Sequence, residues 1–211
     1  MKKMVTRLVA LVLCLACVAP VAFAAEVTDA TDTKESEATL VATLTDIETG
    51  RTRTMEVKPD IINVEENERG DVCEASAEVF LPVEGIKTRT SVGKDKTDGG
   101  VTARIKVTYQ ISSNKEMIKI MEISGGWTPS SSIYLVGNRE VGMHCGGFAS
   151  LRMKKNPTSN SFRYSTGWGY VDFVTSGNGS PFAWADATIS VSGMSGSAHR
   201  LSVEMYFPDN R

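Results

Sequence analysis

VTARIKVTYQI, residues 101–111, decides the fold. Val101, Ala103, Ile105, Val107, Tyr109 and Ile111 occupy the odd positions, and Thr102, Arg104, Lys106, Thr108 and Gln110 the even ones. Successive side chains of an extended chain point to opposite faces, so this alternation predicts a strand with one face in a core and one in water.

The same signal recurs on both sides of it. Cys73, Ala75, Ala77 and Val79 alternate with Glu74, Ser76 and Glu78. Downstream, strands are expected at 116–123, 132–136, 141–153, 168–173, 182–191 and 201–207, with Ala185, Ala187, Ile189 and Val191, then Leu201, Val203, Met205 and Phe207, in register. GG, NPTSN, SGNGS and SGMSGS between them have turn composition. TLVATLTDI, a turn at Glu48-Thr49-Gly50-Arg51, and TRTMEV read as a β-hairpin. The fold class is therefore all-β, an antiparallel β-sandwich over 72–211. A hairpin and acidic linker (38–71) and a disordered acidic leader (25–37, AEVTDATDTKESE) precede it.

Residues 1–24 have a different character. Lys2, Lys3 and Arg7 form a basic head, an apolar run follows, and Ala22-Phe23-Ala24 presents small residues where a signal peptidase reads. The apolar run is shorter than the ~20 residues that span a bilayer, so a cleaved signal peptide is expected, with no transmembrane segment in the mature chain. The expected location is secreted or extracytoplasmic, at the cell surface or in a periplasm. Charge then divides the chain: residues 25–84 carry 16 acidic and 5 basic side chains, whereas 85–211 carry 9 and 15. Such a split fits an acidic solubilising segment, or a basic surface for an anionic partner.

Only Cys73 and Cys145 remain after the expected cleavage, both on the apolar parity of their strands. In an exported protein, two inward cysteines predict one disulfide, worth about 4 kcal/mol through loop closure. The neighbouring His144 has the opposite parity, which works against a Cys-His dyad. SGMSGS lacks the last glycine and the strand-to-helix context of a nucleophile elbow. Two separated histidines do not make a zinc site, and the carboxylates of GKDKTDGG, Asp95 and Asp98, lack the alternating oxygen ligands of a calcium loop. No glycine-rich loop opens a helix. The expectation is a protein with no catalytic residue, no metal, no cofactor and no nucleic-acid partner.

Aromatic and basic side chains are the candidates for ligand binding. Trp127 lies in SGGWTPSSS, read as a turn, and Trp168 and Tyr170 in FRYSTGWGYVDF. Rings beside Gly and Ser can stack on sugars, and Arg152, Lys154 and Lys155 can supply a basic surface. ISGGW (123–127) and KNPTSNSFRYSTGWGYV (155–171) resemble small exported all-β proteins of Gram-positive bacteria whose role is uncharacterised, over roughly 101–211. The resemblance implies an extracytoplasmic β protein and carries over no catalytic residue. The expected function is that of a non-enzymatic binding module for an anionic wall polymer, glycan or protein partner. A secreted bacteriocin-like or membrane-active antagonist, and an enzyme of unrecognised type, are the alternatives.

Overall fold

The computed structural model describes residues 38–66, 68–83, 99–146, 151–174 and 179–207. The expected signal peptide, the acidic leader, and Asp95 and Asp98 lie outside them. Among the described residues there are twelve strands: β1 (Thr39–Asp46), β2 (Thr52–Val57), β3 (Asp60–Glu65), β4 (Val72–Pro82), β5 (Gly100–Ile111), β6 (Met117–Pro129), β7 (Tyr134–Cys145), β8 (Leu151–Lys155), β9 (Ser161–Ser165), β10 (Val171–Asp172), β11 (Phe182–Val191) and β12 (His199–Tyr206). No helix among them is long and apolar enough to cross a membrane.

Two antiparallel sheets pack face to face, as the alternation predicts. The first runs β2-β1-β12-β11-β7-β8; the second runs β10-β6-β5-β4-β3, with β9 also paired to β6. β1 lies over β4, β11 and β12 over β5, and β7 over β6. Val101, Ala103, Ile105, Val107, Tyr109 and Ile111 are all buried in the core between the sheets. Opposite them, β11 contributes Ala183, Ala185 and Ala187, and this row of small side chains leaves room for the larger ones of β5. Gln110 is the exception to the even-position rule. It is buried, and its Nε2 donates to the Gly70 carbonyl at 2.9 Å.

β6 changes parity along its length. Ile118 and Ile120 are buried at even positions, Ile123 and Trp127 at odd ones. The register slips between Thr108 and Tyr109, which face Glu122 and Ile120, so Met121 is an extra residue in the ladder. This bulge turns both apolar sets inward.

Three boundaries differ from the sequence reading. The hairpin is not a separate segment: β1 pairs with β12 along its whole length. The stretch read as an acidic linker contains β3, which pairs with β4. Its acidic composition hid it, because an edge strand need bury little. Finally, the GG of ISGGW is not a turn. β6 runs through Gly125 and Gly126, and a side chain at Gly126 would collide with the Asn160 carbonyl where the chain before β9 crosses it. The β1–β2 turn does form as read. Asp46 Oδ1 accepts the Glu48 and Thr49 amides at 2.9 Å each. The Thr49 hydrogen bond chiefly holds the Asp46 carboxyl below the usual range.

The expected Cys73–Cys145 disulfide is absent: both cysteines are free and buried. Both side chains point inward as read, but they do not meet. Cys145 is on β7 over β6, and β4, which carries Cys73, lies two strands away from β6. That lateral offset alone is about 10 Å, beyond the ~7 Å that a disulfide tolerates between Cα atoms. Cys73 instead donates its thiol to Asn63 Oδ1 at 3.1 Å. Burial pushes the Cys145 thiol up to about 12. Iodoacetamide, which needs the thiolate, is therefore expected to leave Cys145 unmodified in the native protein in mildly alkaline buffer and to modify both cysteines after unfolding in urea. Mass spectrometry reads the result; rapid native alkylation, or a non-reduced mass two hydrogens light, contradicts it.

Candidate functional site

On the outer face of the second sheet, sequence composition creates a groove. The outward residues of β6 in this region are Glu122, Ser124, Gly126 and Thr128, and two of the four, Ser124 and Gly126, are too small to rise above the sheet. Their neighbours are long. Across the ladders, Gly126 lies between Arg104 on β5 and Ser161 on β9, and Ser124 between Lys106 and Arg163. A low floor along β6 is thus walled by Arg104 and Lys106 on one side and Arg163 on the other. The resulting hollow is about 880 Å³, within the range of small-ligand sites. Thr102, Ser76 and Asn160 add hydroxyl and amide groups to its lining.

Each wall cation is matched by a carboxylate. Arg104 pairs with Glu78, Lys106 Nζ lies 2.9 Å from Glu74, and Arg163 Nε lies 2.9 Å from Glu122. The Glu122 hydrogen bond also raises the Arg163 guanidinium above its ordinary value. Asn160 is fixed by Arg139, whose Nε donates to Asn160 Oδ1 at 2.9 Å. Planar hydrogen-bonding groups are thereby held in set positions without a net positive field.

Trp168 stands where this groove continues. A second hollow of about 390 Å³ is lined by Trp168, Thr166, Lys119, Met121, Glu122 and again Arg163, so the two meet at Arg163, which Glu122 holds. Trp168 is half-buried. Its amide donates to Thr166 Oγ1 at 3.0 Å, and that hydroxyl donates to the Ile120 carbonyl at 2.6 Å, which pins the turn after β9 to β6.

The other sequence candidates fall elsewhere. Trp127 is a core residue, 2 % exposed and packed against Phe162 with ring centroids 5.2 Å apart. It is no binding platform: its strand parity turns it inward. Tyr170 is a brace, its hydroxyl donating to the Arg69 carbonyl at 3.2 Å. Arg152, Lys154 and Lys155 are exposed on β8, at the edge of the first sheet, away from Trp168. There Arg152 lies over the ring of Trp184, 5.4 Å from its centroid, and Lys154 binds Glu140, which also accepts the Trp184 indole N–H at 3.3 Å. The expected single basic and aromatic face is thus divided between two sheets.

Trp184, near the start of β11, centres a second group of rings. Its indole covers Gly142, where any Cβ would strike the ring. Phe182 sits 5.3 Å from Trp184, 5.5 Å from His144 and 6.0 Å from Tyr206, so a row of rings crosses the outer face of the first sheet. His144 is outward as its parity requires and Cys145 is fully buried, which leaves no dyad between them. SGMSGS is the β11–β12 turn, closed by the Val191 amide on Ser197 Oγ at 3.1 Å. No protein-family model matches this chain, and no curated protein or solved structure is significantly similar to it.

Proposed function

We propose that this is an extracytoplasmic, non-enzymatic glycan-binding module, and that the groove along β6 with Trp168 at its end is where the glycan lies. The carrying observation is the charge-balanced groove itself: three cations, each fixed by a carboxylate, stand over a floor of Ser124 and Gly126 beside a half-buried indole. Fixed guanidinium, carboxylate and hydroxyl groups suit the many donors and acceptors of a sugar chain, and the Trp168 ring offers an apolar face for stacking. Balance of charge argues for a neutral, hydroxyl-rich ligand over a polyanion, which would be repelled by Glu74, Glu78 and Glu122. The basic head, apolar run and Ala22-Phe23-Ala24 at the start of the chain support an exported setting in which wall or surface glycans are at hand.

Titration with neutral oligosaccharides, N-acetylglucosamine oligomers first, followed by tryptophan fluorescence and calorimetry, tests this. Saturable binding that changes little between low and high salt is expected, because no net charge is neutralised. Trp168→Ala should weaken it by about 2 kcal/mol, ~30-fold, and the exposed Arg163→Ala should weaken it less. Absence of binding across a glycan panel, or binding indifferent to both substitutions, sinks the proposal. Tight, salt-sensitive binding of polyphosphate in place of a glycan would return the anionic-polymer reading.

A further inference from the structure

Two edge strands, one in each sheet, carry opposite charge. Among the described residues β3 ends the second sheet and β8 ends the first, each paired on one side only. With β1 over β4 and β7 over β6, β3 and β8 lie on opposite sides of the molecule. β3 reads DIINVE and is followed by Glu66; Asp60, Glu65 and Glu66 are exposed, as are the β-branched Ile62 and Val64, at 55 % and 57 %. β8 reads LRMKK, with Arg152, Lys154 and Lys155 exposed and Leu151 and Met153 half-buried.

Edge strands are usually protected by charge, because their free N–H and C=O groups invite another strand. Here the protection works only between like edges. β3 against β3 opposes carboxylates, and β8 against β8 opposes cations. β3 against β8 brings carboxylates to cations and apolar side chains to apolar side chains. Edge β2 carries Arg53 with Glu56 and is flanked by Arg51 and Lys58, so it too is net basic, but a carboxylate interrupts its cations, and β8 has cations alone.

We infer that this chain assembles head to tail with further copies of itself, the basic edge β8 of one molecule adding to the acidic edge β3 of the next. The contact is heterologous, and the two edges face away from each other, so the arrangement propagates into an open chain and does not close as a dimer. The bulge between Asn63 and Glu65 restricts the straight, ladder-forming part of β3 to its first residues, which keeps each contact short and the assembly reversible. Asp60 of β3 also lines the groove, but the inference does not rest on the glycan reading, since its measure is the mass of the assembly and not the binding of a sugar. If both hold, an array of grooves would convert weak binding of single modules into strong retention on a polymer.

Sedimentation velocity and light scattering of the purified protein over a wide concentration range test the inference. The weight-average mass is expected to rise steadily past that of a dimer at low salt and to fall back toward the monomer at high salt. Lys155→Glu with Arg152→Glu, and separately Asp60→Lys with Glu65→Lys, should each give a monomer. Mixing the two variants should restore assembly, because each edge then meets its opposite. The single exposed substitutions Lys155→Glu and Glu65→Lys, with circular dichroism as a check on folding, guard against a variant that fails to fold. A wild type that remains monomeric at all concentrations, a mass that stops at the dimer, or variants that assemble as the wild type does would each overturn it.

Discussion

Trp127→Ala is expected to unfold with about 3–5 kcal/mol less free energy than the parent chain, the range for truncating a fully buried aromatic. The indole fills the core beside Phe162 and opposite Ala103 of β5, whose methyl group is too small to take up the space. A cavity would therefore persist, and its cost adds to the lost transfer free energy. Trp127→Phe is the informative companion. The indole N–H is buried with no hydrogen-bond partner among the described residues, and phenylalanine removes that unsatisfied donor, whose burial costs about 1–3 kcal/mol. Its loss offsets part of the lost volume, so the Phe variant should lie much closer to the parent. Urea titrations with unchanged slope read both differences. If Trp127→Ala is tolerated within 1 kcal/mol, Trp127 is not the core residue described, and its place as an exposed ligand platform reopens.

The second large effect is at Gly125. Its φ of +154° lies where side-chain-bearing residues are rare, and a Cβ there would enter the Arg104 carbonyl of β5, which is held by its own ladder. Backbone strain and the clash each cost about 1–3 kcal/mol, so Gly125→Ala should lose about 3 kcal/mol and lower the melting temperature accordingly. Gly137→Ala is the control. It lies within β7, and nothing stands within 4 Å of a Cβ built there. It is expected to be neutral or slightly stabilising, by up to ~0.5 kcal/mol. Equal loss in both variants would mean that loss of glycine freedom, and not the contact with β5, is what matters at 125.

The contrast between these positions shows what the sequence could and could not reveal. Alternation reads off which face of β5, β11 and β12 is buried, because a period of two follows from backbone geometry alone. It also placed Cys145 inward and His144 outward correctly. Pairing of strands across the sandwich has no such local signature: Cys73 and Cys145 are both inward, yet the stacking of β7 on β6 keeps them apart. A glycine pair signals either a turn or a close approach of chains, and only the neighbours of Gly125 and Gly126 decide between them. The groove was illegible for the same reason. Arg104, Ser124 and Arg163 are scattered in sequence and become adjacent only through the β5–β6–β9 register, whereas Trp168 was visible as an aromatic among glycines. β3 escaped notice because an edge strand can be made of side chains that would suit a loop.

The first sheet joins the beginning of the sandwich to its end: Thr39 faces Tyr206, and Asp46 faces His199. During synthesis β1 and β2 leave the ribosome early and can form only an isolated hairpin, which is marginal in water. The strand that completes them is made last. Pairing so distant in the chain carries the loop-closure cost that slows folding, so the native structure of this half of the molecule must wait until β12 has been synthesised. Until β12 is made, β1 keeps an open edge on one side, and the first sheet is the last part of the molecule to be completed.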